Sequence, residues 1–300
     1  MFYLYCLCQI TICKQCHFFI DNALICYDII HTSVADITYQ TLMAEQINIR
    51  FHQALNDFLP VDWQFTEFTH ELKKTRSVKD LIESIGVPHT EVDLIIVNDE
   101  SVDFNHLIQD HDRIEVLPKL KSSELTDLHI SPLRHCLLNP SEPYRFLLDV
   151  HLGKLAAYLR MLGFDSVYRN DYDDPALAKI SAEDNRILLT CDRRLLMRKQ
   201  VIYGYFVRTR QPRQQLLEVL SRFELNDQIR PFDRCMHCNG RIQAVDKKEI
   251  EAQLLAKTKK YHDEFYRCDS CHKIYWEGSH FQNMQTMIEA IRNQAVLSTY

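Results

Sequence analysis

The sequence lacks any long apolar run, since no stretch approaches the roughly 20 consecutive apolar residues of a membrane span. It also lacks an excess of positive charge, because its formal net charge is -6. That balance argues against a protein that coats nucleic acid indiscriminately. The opening Met1 to Ile12 is apolar but has neither a basic start nor a small-residue cleavage site. We therefore expect no membrane span and no signal peptide.

Residues 1–42 contain no Gly, no Pro and no Arg, and their apolar residues follow neither a strand period nor a helix period. A clean strand pattern begins directly after Met43. The sequence therefore predicts that residues 1–42 are an irregular leader, or that translation starts at Met43 and the leader is not native.

The 11 cysteines are unevenly distributed, and the last four form two C-x-x-C pairs. These four are Cys235, Cys238, Cys268 and Cys271. Paired C-x-x-C spacing is more typical of a metal site than of disulfides, which favours a reducing compartment such as the cytoplasm. Four thiolates leave no open coordination position, so the pattern predicts a structural zinc, with His237 and His272 as alternative ligands. Gly240 is expected to give the first knuckle its backbone freedom.

Residues 43–118 have the pattern of a small α+β roll. Alternating Ile47, Ile49 and Phe51 predict one strand, and Phe65 with Phe68 marks a second. A helix is expected between a Ser77 cap and Gly86, followed by strands at Leu94 to Val97 and Arg113 to Leu117. The Pro- and Ser-containing stretch 119–143 then reads as a linker.

Residues 144–230 alternate apolar strands with amphipathic helices, which predicts a parallel sheet covered on both faces. Asp149 and Asp192 each follow one of these strands, and Asp173 and Asp174 stand at a third strand-to-helix junction. Because the carboxyl ends of parallel strands share one crevice, these acids are expected to converge. Converging carboxylates repel one another unless a cation such as Mg²⁺ or Mn²⁺ lies between them. Each acid considered alone could instead cap the following helix, and this alternative is stronger for Asp174, which precedes Pro175.

A basic stretch surrounds the last of these acids. Between Arg186 and Arg213 there are eight Lys or Arg residues against Asp192 alone. Four of them are predicted to bind phosphates of a polyanionic partner: Arg193, Arg194, Arg198 and Lys199. The neighbouring aromatics Tyr205 and Phe206 are expected to be core residues, and Cys191 to pack and not to act as a nucleophile.

Two family resemblances cover most of the chain. Val87-Pro-His-Thr-Glu-Val-Asp93 and Val102-Asp-Phe104 resemble the ubiquitin-like sulfur carriers of thiamine and molybdopterin synthesis, which have a β-grasp fold. Those carriers act through a Gly-Gly tail, whereas this segment continues into Pro118-Lys119, so a sulfur-transfer role is disfavoured and recruitment of a protein partner remains.

The second resemblance is to the Mut-seven carboxy-terminal ribonuclease family of PIN-like nucleases, over about Tyr144 to His280. Its residues include Arg145-Phe-Leu-Leu-Asp149, Asp171-x-Asp-Asp-Pro-Ala-Leu177 and Leu188-Leu-Thr-Cys-Asp-Arg193. The resemblance implies a metal-dependent ribonuclease that leaves 5′-phosphate and 3′-hydroxyl ends. It also implies that Asp149 and Asp192 are metal-site acids, with Asp173 or Asp174 as the third and Glu183 as a weaker candidate.

The expected architecture is therefore α/β and α+β: a ubiquitin-like β-grasp domain (43–118), a linker (119–143), a PIN-like parallel-sheet domain (144–230), and a zinc ribbon with a C-terminal helix (231–300). The expected function is metal-dependent hydrolysis of RNA. The alternative is a noncatalytic RNA-binding adaptor in which the acids are caps and the ubiquitin-like domain recruits a partner. The oligomeric state stays open.

Overall fold

The computed structural model describes residues 45–72, 74–119, 134–136 and 143–297. The predicted leader and most of the predicted linker lie outside the described residues. Within the described ranges, no helix has both the length and the apolar character needed to cross a bilayer. The mixed α and β composition agrees with the expected fold class.

The N-terminal unit is a five-stranded sheet with one helix packed against it. Its elements are β1 (Glu45–Phe51), β2 (Glu67–Leu72), α1 (Val78–Ile85), β3 (Leu94–Val97), β4 (Glu100–Val102) and β5 (Arg113–Leu117). The strand order is β2-β1-β5-β3-β4, and β1 pairs with β5 in parallel. Alternating Ile47, Ile49 and Phe51 are buried against the helix, as predicted. We call this unit the roll (residues 45–119).

Local signals for the roll were accurate at the helix and less so at the second strand. The Ser77 side chain accepts a hydrogen bond from Asp80 N over 3.1 Å, and Gly86 ends α1 at φ 111°, where a residue without Cβ is favoured. Phe65, by contrast, was wrongly assigned to the second strand. It has φ 58° and is 65% exposed, so it belongs to the turn before β2.

The central unit is a four-stranded, fully parallel sheet. Its elements are β6 (Arg145–Leu148), α2 (Gly153–Met161), β7 (Asp165–Tyr168), α3 (Asp174–Glu183), β8 (Ile187–Thr190), α4 (Arg193–Leu196), β9 (Gly204–Phe206) and α5 (Pro212–Arg222). The strand order is β7-β6-β8-β9. Phe146 and Leu148 face a core formed with α2 and α5, whereas Leu147 and Leu188 face a second core formed with α3 and α4. Both faces are covered, as the apolar strands predicted.

The C-terminal unit is a three-stranded antiparallel sheet followed by a long helix. Its elements are β10 (Ile242–Val245), the short helices α6 (Lys247–Ile250) and α7 (Ala256–Tyr261), β11 (Phe265–Cys268), β12 (Ile274–Trp276) and α8 (Ser279–Leu297). The strand order is β10-β11-β12. Ile288 and Ile291 of α8 are buried in the core that covers α2 and α5, so this helix belongs to the packing of the central sheet.

Candidate active site and four-cysteine cluster

Asp149 and Asp192 lie at the same edge of the parallel sheet. Asp149 follows β6 and Asp192 follows β8, and these strands are parallel neighbours with Leu148 opposite Leu189. From β6 the chain first adds β7 on one side and then crosses to β8 on the other, so the two acids flank the point where the strand order reverses. Ligands of open α/β sheets bind in the crevice at such a point. We call this region the acid edge.

A single buried hydroxyl joins the two acids. Thr190, fully buried, donates its hydroxyl hydrogen bond to Asp149 Oδ2 over 2.7 Å and accepts one from Asp192 N over 2.9 Å. Asp149 is itself only 6% exposed. The two acidic residues are therefore held in a fixed relation by the last residue of β8.

Three of the predicted acids also cap helical turns. Asp149 Oδ1 accepts from Val150 N over 2.5 Å, Asp173 Oδ1 from Ala176 N over 2.9 Å, and Asp192 Oδ1 from Arg194 N over 2.8 Å. An ionised carboxylate has about four acceptor positions, so one cap leaves capacity for another ligand. For Asp173 and Asp192, Oδ2 receives no hydrogen bond from any described residue. The cap and the ligand interpretations are thus compatible.

The acids at the α3 junction are arranged differently from the prediction. The residue that caps α3 is Asp173, while Asp174 is the first residue of the helix. Asp174 Oδ2 instead lies 3.8 Å from Arg198 Nη2. Among the described residues, the four cysteines are the one set of three or more potential ligands whose donor atoms lie within 4.8 Å of one another. The acid edge therefore presents a pair of acids linked through Thr190, and not a closed cage of three acids.

The four cysteines form a compact cluster between the C-terminal sheet and the preceding turn. Cys235 and Cys271 Sγ atoms are 3.6 Å apart, and Cys238 and Cys268 Sγ atoms are 3.4 Å apart. Zn–S bonds of about 2.3 Å in a tetrahedron place sulfurs about 3.8 Å apart, so the cluster is compatible with a structural zinc. His237 and His272 do not belong to this set.

The two knuckles use the same backbone geometry at the residue after the second cysteine. Asn239 has φ 73° and His272 has φ 58°. Gly240 was expected to supply this backbone freedom. Its lack of a side chain instead leaves room for residues of the second knuckle. A Cβ there would lie 2.5 Å from Ser270 Oγ and 2.8 Å from Cys268 Sγ.

Hydrogen bonds around Cys235 favour its thiolate. Burial opposes this effect, but the Tyr275 hydroxyl, 3.0 Å from Sγ, and the backbone N–H groups of His237 and Cys238 lower the pKa of Cys235 to about 7. Such outer hydrogen bonds orient metal ligands and tune them.

The first knuckle is also fastened to the parallel sheet. Asn239 Oδ1 accepts from Ser166 N on the outer strand β7, and Asn239 Nδ2 donates to Asp165 Oδ1 over 2.8 Å. Arg160, 4% exposed, donates to the carbonyl of Ser166 and to those of Met236 and His237. Order in the cysteine cluster is therefore coupled to order in β7.

Comparison with protein-family models adds to this geometry. Residues 144–288 match the Mut7-C RNAse domain, and residues 44–124 match the Mut7-C ubiquitin domain. The chain belongs to the Mut7-C family. No curated protein and no solved structure matches it. The acid edge and the cysteine cluster both lie within the Mut7-C RNAse match, and the roll lies within the Mut7-C ubiquitin match.

Arg193 faces the Mut7-C ubiquitin domain. Its Nη1 donates to the carbonyl of Phe58 over 3.0 Å and its Nη2 to that of Asp57 over 3.2 Å. Its guanidinium carbon lies 5.0 Å from the centre of the Phe58 ring. Of the four predicted phosphate-binding residues, Arg194 and Lys199 are exposed without a described carboxylate partner, and Arg198 contacts Asp174.

Arg208 is the centre of the same interface, and the sequence did not indicate this role. Its Nε donates to Asp57 Oδ2 over 2.9 Å, and its Nη2 donates to Glu91 Oε2 over 2.9 Å. Glu91 is 3% exposed, and its Oε1 accepts from Phe206 N over 2.7 Å. Burial opposes the charge on Arg208, but the Glu91 carboxylate beside it raises the pKa of the guanidinium. The Mut7-C ubiquitin domain is thus joined to the RNAse domain by buried, charged hydrogen bonds.

The other residues near the acid edge have structural surroundings. Tyr205 is 7% exposed and donates to Glu218 Oε1 over 3.0 Å, and Phe206 packs edge-on against Phe58. Cys191 is exposed and not packed as expected, but its thiol lies 3.2 Å from the carbonyl oxygen of Val207, and partial burial, reinforced by the Asp149 charge, raises its pKa. A protonated thiol is a poor nucleophile.

Glu183, the weaker candidate for a third acid, is the last residue of α3. Its side chain is 64% exposed and lies 3.8 Å from Lys179 Nζ, one helical turn away. This environment fits the surface role.

Proposed function

We propose that this chain is a metal-dependent endoribonuclease with a PIN-like nuclease domain, which hydrolyses RNA phosphodiester bonds at the acid edge. The link from Asp149 through Thr190 to Asp192, at the switch point of the RNAse domain, is the observation that supports this function most directly. This link fixes the Asp149 carboxylate directly and Asp192 through its backbone N–H, while Asp192 Oδ1 is fixed by Arg194 N, so neither acid needs a cation to keep its place.

The donor set of the acid edge suits Mg²⁺ or Mn²⁺. Mg²⁺ is usually held by one or two carboxylates together with waters and substrate phosphates, so a closed cage of three acids is not required. Asp149 and Asp192 would be the first ligands, and Asp173 or Asp174 the third. When bound, the ion lowers the pKa of water and offsets charge on the leaving oxygen.

The protein's own groups then position the substrate. Asp149 is fixed by two hydrogen bonds, so its carboxylate is preorganised and loses little freedom when RNA binds. Arg194 and Lys199 supply positive charge for phosphates that flank the scissile bond. Arg193 contributes indirectly, because it holds the ubiquitin domain beside this edge.

A second ion is proposed for the four cysteines. All four described ligand thiols, and also Cys136 and Cys191, are free of disulfides, which fits a reducing compartment such as the cytoplasm. A zinc held by four thiolates has no open position, so it would stabilise a zinc ribbon in the C-terminal unit and take no part in hydrolysis.

The alternative function is a noncatalytic RNA-binding adaptor. One observation favours it, namely that Asp149, Asp173 and Asp192 all have helix-capping hydrogen bonds. A capping role alone would explain their presence at these junctions.

Cleavage assays separate the two functions. Purified protein is incubated with labelled single-stranded and structured RNAs, with Mg²⁺, with Mn²⁺ and with EDTA, beside the double variant Asp149→Asn, Asp192→Asn. The proposed nuclease requires cleavage that EDTA and the double variant abolish, whereas Glu183→Gln, a matched change of an exposed acid, leaves cleavage intact. RNA binding without cleavage under every condition would support the adaptor.

A further inference from the structure

A large cleft lies between the C-terminal sheet and the first turns of α8, and the acid edge does not use it. Its volume is about 730 Å³, and five aromatic residues line it: Phe232, Tyr266, Tyr275, Trp276 and Phe281. All of them lie within the Mut7-C RNAse match. No residue of the acid edge is among those that line it.

The sheet side of this cleft is a short aromatic platform. Ala244, Tyr266 and Tyr275 are direct cross-strand neighbours on β10, β11 and β12, so their side chains share one face of the sheet. Ala244 is exposed, and both tyrosines are half-buried. Because the alanine side chain is small, a flat group has room to stack on the two tyrosine rings.

One lysine lines the cleft beside the platform, and two more stand on the preceding helix α7. Lys273 lines the cleft with its Nζ 5.9 Å from the centre of the Tyr275 ring, and His262 and His280 line it too. Lys257 and Lys260 stand on α7, directly before His262. Among the described residues, none of these three lysines has a carboxylate within ion-pair distance. They are therefore available to phosphates.

Two carboxylates also line the cleft, and they restrict what it can hold. Asp233 is paired with Arg241 at 3.6 Å, whereas Glu277 has no described cationic partner. A carboxylate repels phosphate but accepts hydrogen bonds from base amino groups. The arrangement suits bases inside the cleft and phosphates at its lysine-bearing rim.

We infer that this cleft binds an unpaired segment of RNA by stacking bases on Tyr266 and Tyr275, with Trp276 at the edge of the cleft. Aromatic rings combined with nearby cations are the usual means of holding single strands without sequence readout. This inference deepens the proposed function, on which it rests, by naming unpaired RNA as the substrate class. A peptide partner would use the rings but would have no need of the lysine rim.

The cleft and the acid edge lie at opposite ends of the parallel sheet. Phe232, on the cleft wall, donates its N–H to the carbonyl of Met161 at the end of α2, which is where the chain enters β7. Asp149 follows the other end of the neighbouring strand β6. A four-residue strand spans about 13 Å, so one RNA must extend over several nucleotides to contact both places. RNAs long enough to reach both places should bind more tightly than shorter ones.

Tryptophan fluorescence tests the cleft directly. The chain has two tryptophans, Trp63 in the roll and Trp276 in the cleft, so a Trp63→Phe variant reports on Trp276 alone. It is combined with Asp149→Asn and Asp192→Asn and titrated with oligouridylate without added divalent ion. We expect saturable quenching, absent from the matched Trp276→Phe protein, in which only Trp63 emits.

Substitutions then assign the contacts. Tyr266→Ala should weaken RNA binding roughly tenfold to hundredfold. Lys273→Ala should reduce the salt slope, which is the slope of the logarithm of the binding constant against the logarithm of salt concentration, by about 0.7. Phe65→Ala removes an aromatic ring that is 65% exposed on the roll, far from the cleft in sequence, and should change neither. Zinc content is measured for each variant, and Tyr266→Phe should restore affinity if the ring itself is what binds.

Two failures can be told apart. Absence of quenching, or quenching by an apolar peptide and not by RNA, overturns the cleft assignment even if the enzyme cleaves RNA. Quenching without any cleavage by the unmutated acids leaves the cleft assignment standing and overturns the proposed nuclease.

Discussion

The hydroxyl of Thr190 donates to Asp149 Oδ2 over 2.7 Å and, by accepting from Asp192 N, ties together two acids that are 43 positions apart in the sequence. Thr190→Val keeps the shape of this side chain but removes the partner of the buried Asp149 Oδ2 and of the partly buried Asp192 N–H. We expect a loss of about 1 to 3 kcal/mol in unfolding free energy and a fall in kcat for RNA cleavage. Denaturant titration and single-turnover kinetics measure the two effects. Thr190→Ser should restore both, and a stability loss with unchanged kcat would show that the link is purely structural.

Alanine substitutions of the neighbouring Arg193 and Arg194, at the start of α4, should have different effects on stability and on RNA binding. Arg194→Ala is expected to weaken RNA binding and to reduce the salt slope by about 0.7, because one phosphate contact is lost. Arg193→Ala should instead destabilise the fold by about 1 to 3 kcal/mol, since it removes two hydrogen bonds and the ring contact with Phe58. Fluorescence anisotropy at several salt concentrations and denaturant titration separate them. A salt slope altered by Arg193→Ala alone would reverse this assignment.

Glu91 and Asp57 both accept hydrogen bonds from Arg208 but differ in burial, so their substitutions can be compared directly. Glu91→Gln removes a charge from a side chain that is 4% exposed, and we expect a loss of about 1 to 3 kcal/mol, below the value for a fully buried pair because Arg208 is 21% exposed. Asp57→Asn changes a side chain that is 54% exposed and should cost less than about 1 kcal/mol. Equal costs in denaturant titrations would contradict the distinction drawn from burial.

Zinc content is the simplest test of the cysteine cluster. Protein purified without chelators should contain one zinc per chain by elemental analysis, and Cys268→Ser should lower that value, whereas Cys136→Ser, at a cysteine that packs against the roll, should not. Because Asn239 accepts the N–H of Ser166, metal removal should also speed amide exchange in β7. Unchanged exchange after complete zinc loss would show that the cluster and the sheet are independent.

Asp165 predicts a pH dependence of stability. Burial opposes its charge, but hydrogen bonds from Arg186 and Asn239 and the charges of Arg186 and Arg234 together lower its pKa in the folded protein. The stabilisation is therefore complete above the ordinary aspartate pKa and is lost as pH falls through the lowered value. The difference in unfolding free energy between the unmutated protein and Asp165→Asn should shrink on acidification, and any zinc-linked pH dependence cancels in that difference. A difference that is constant between pH 7 and pH 3 would contradict the predicted role.

Sequence patterns predicted those features that depend on neighbouring residues. The alternation in β1, the Ser77 cap, the two apolar strands before the acids and the C-x-x-C spacing are all local, and they appear in the fold. Strands of three or four residues, such as β4 and β10, are too short to show a period. The capping alternative was judged stronger for Asp174, whereas Asp173 is the residue that caps α3, because proline tolerates either of the first helical positions. The contacts of Arg193 and Arg208 with the roll connect residues at least 117 positions apart, and no local pattern encodes them.

The hydrogen bond from Phe206 N to Glu91 has a practical consequence. Phe206 is on β9, the outermost strand on its side of the sheet, so the roll covers what would otherwise be an open row of backbone groups. A fragment that begins at Tyr144 would expose this row together with the Phe206 ring, and exposed strand edges template self-association. Expression of the nuclease half alone is therefore expected to yield aggregates, because the roll that covers the edge of β9 would be missing.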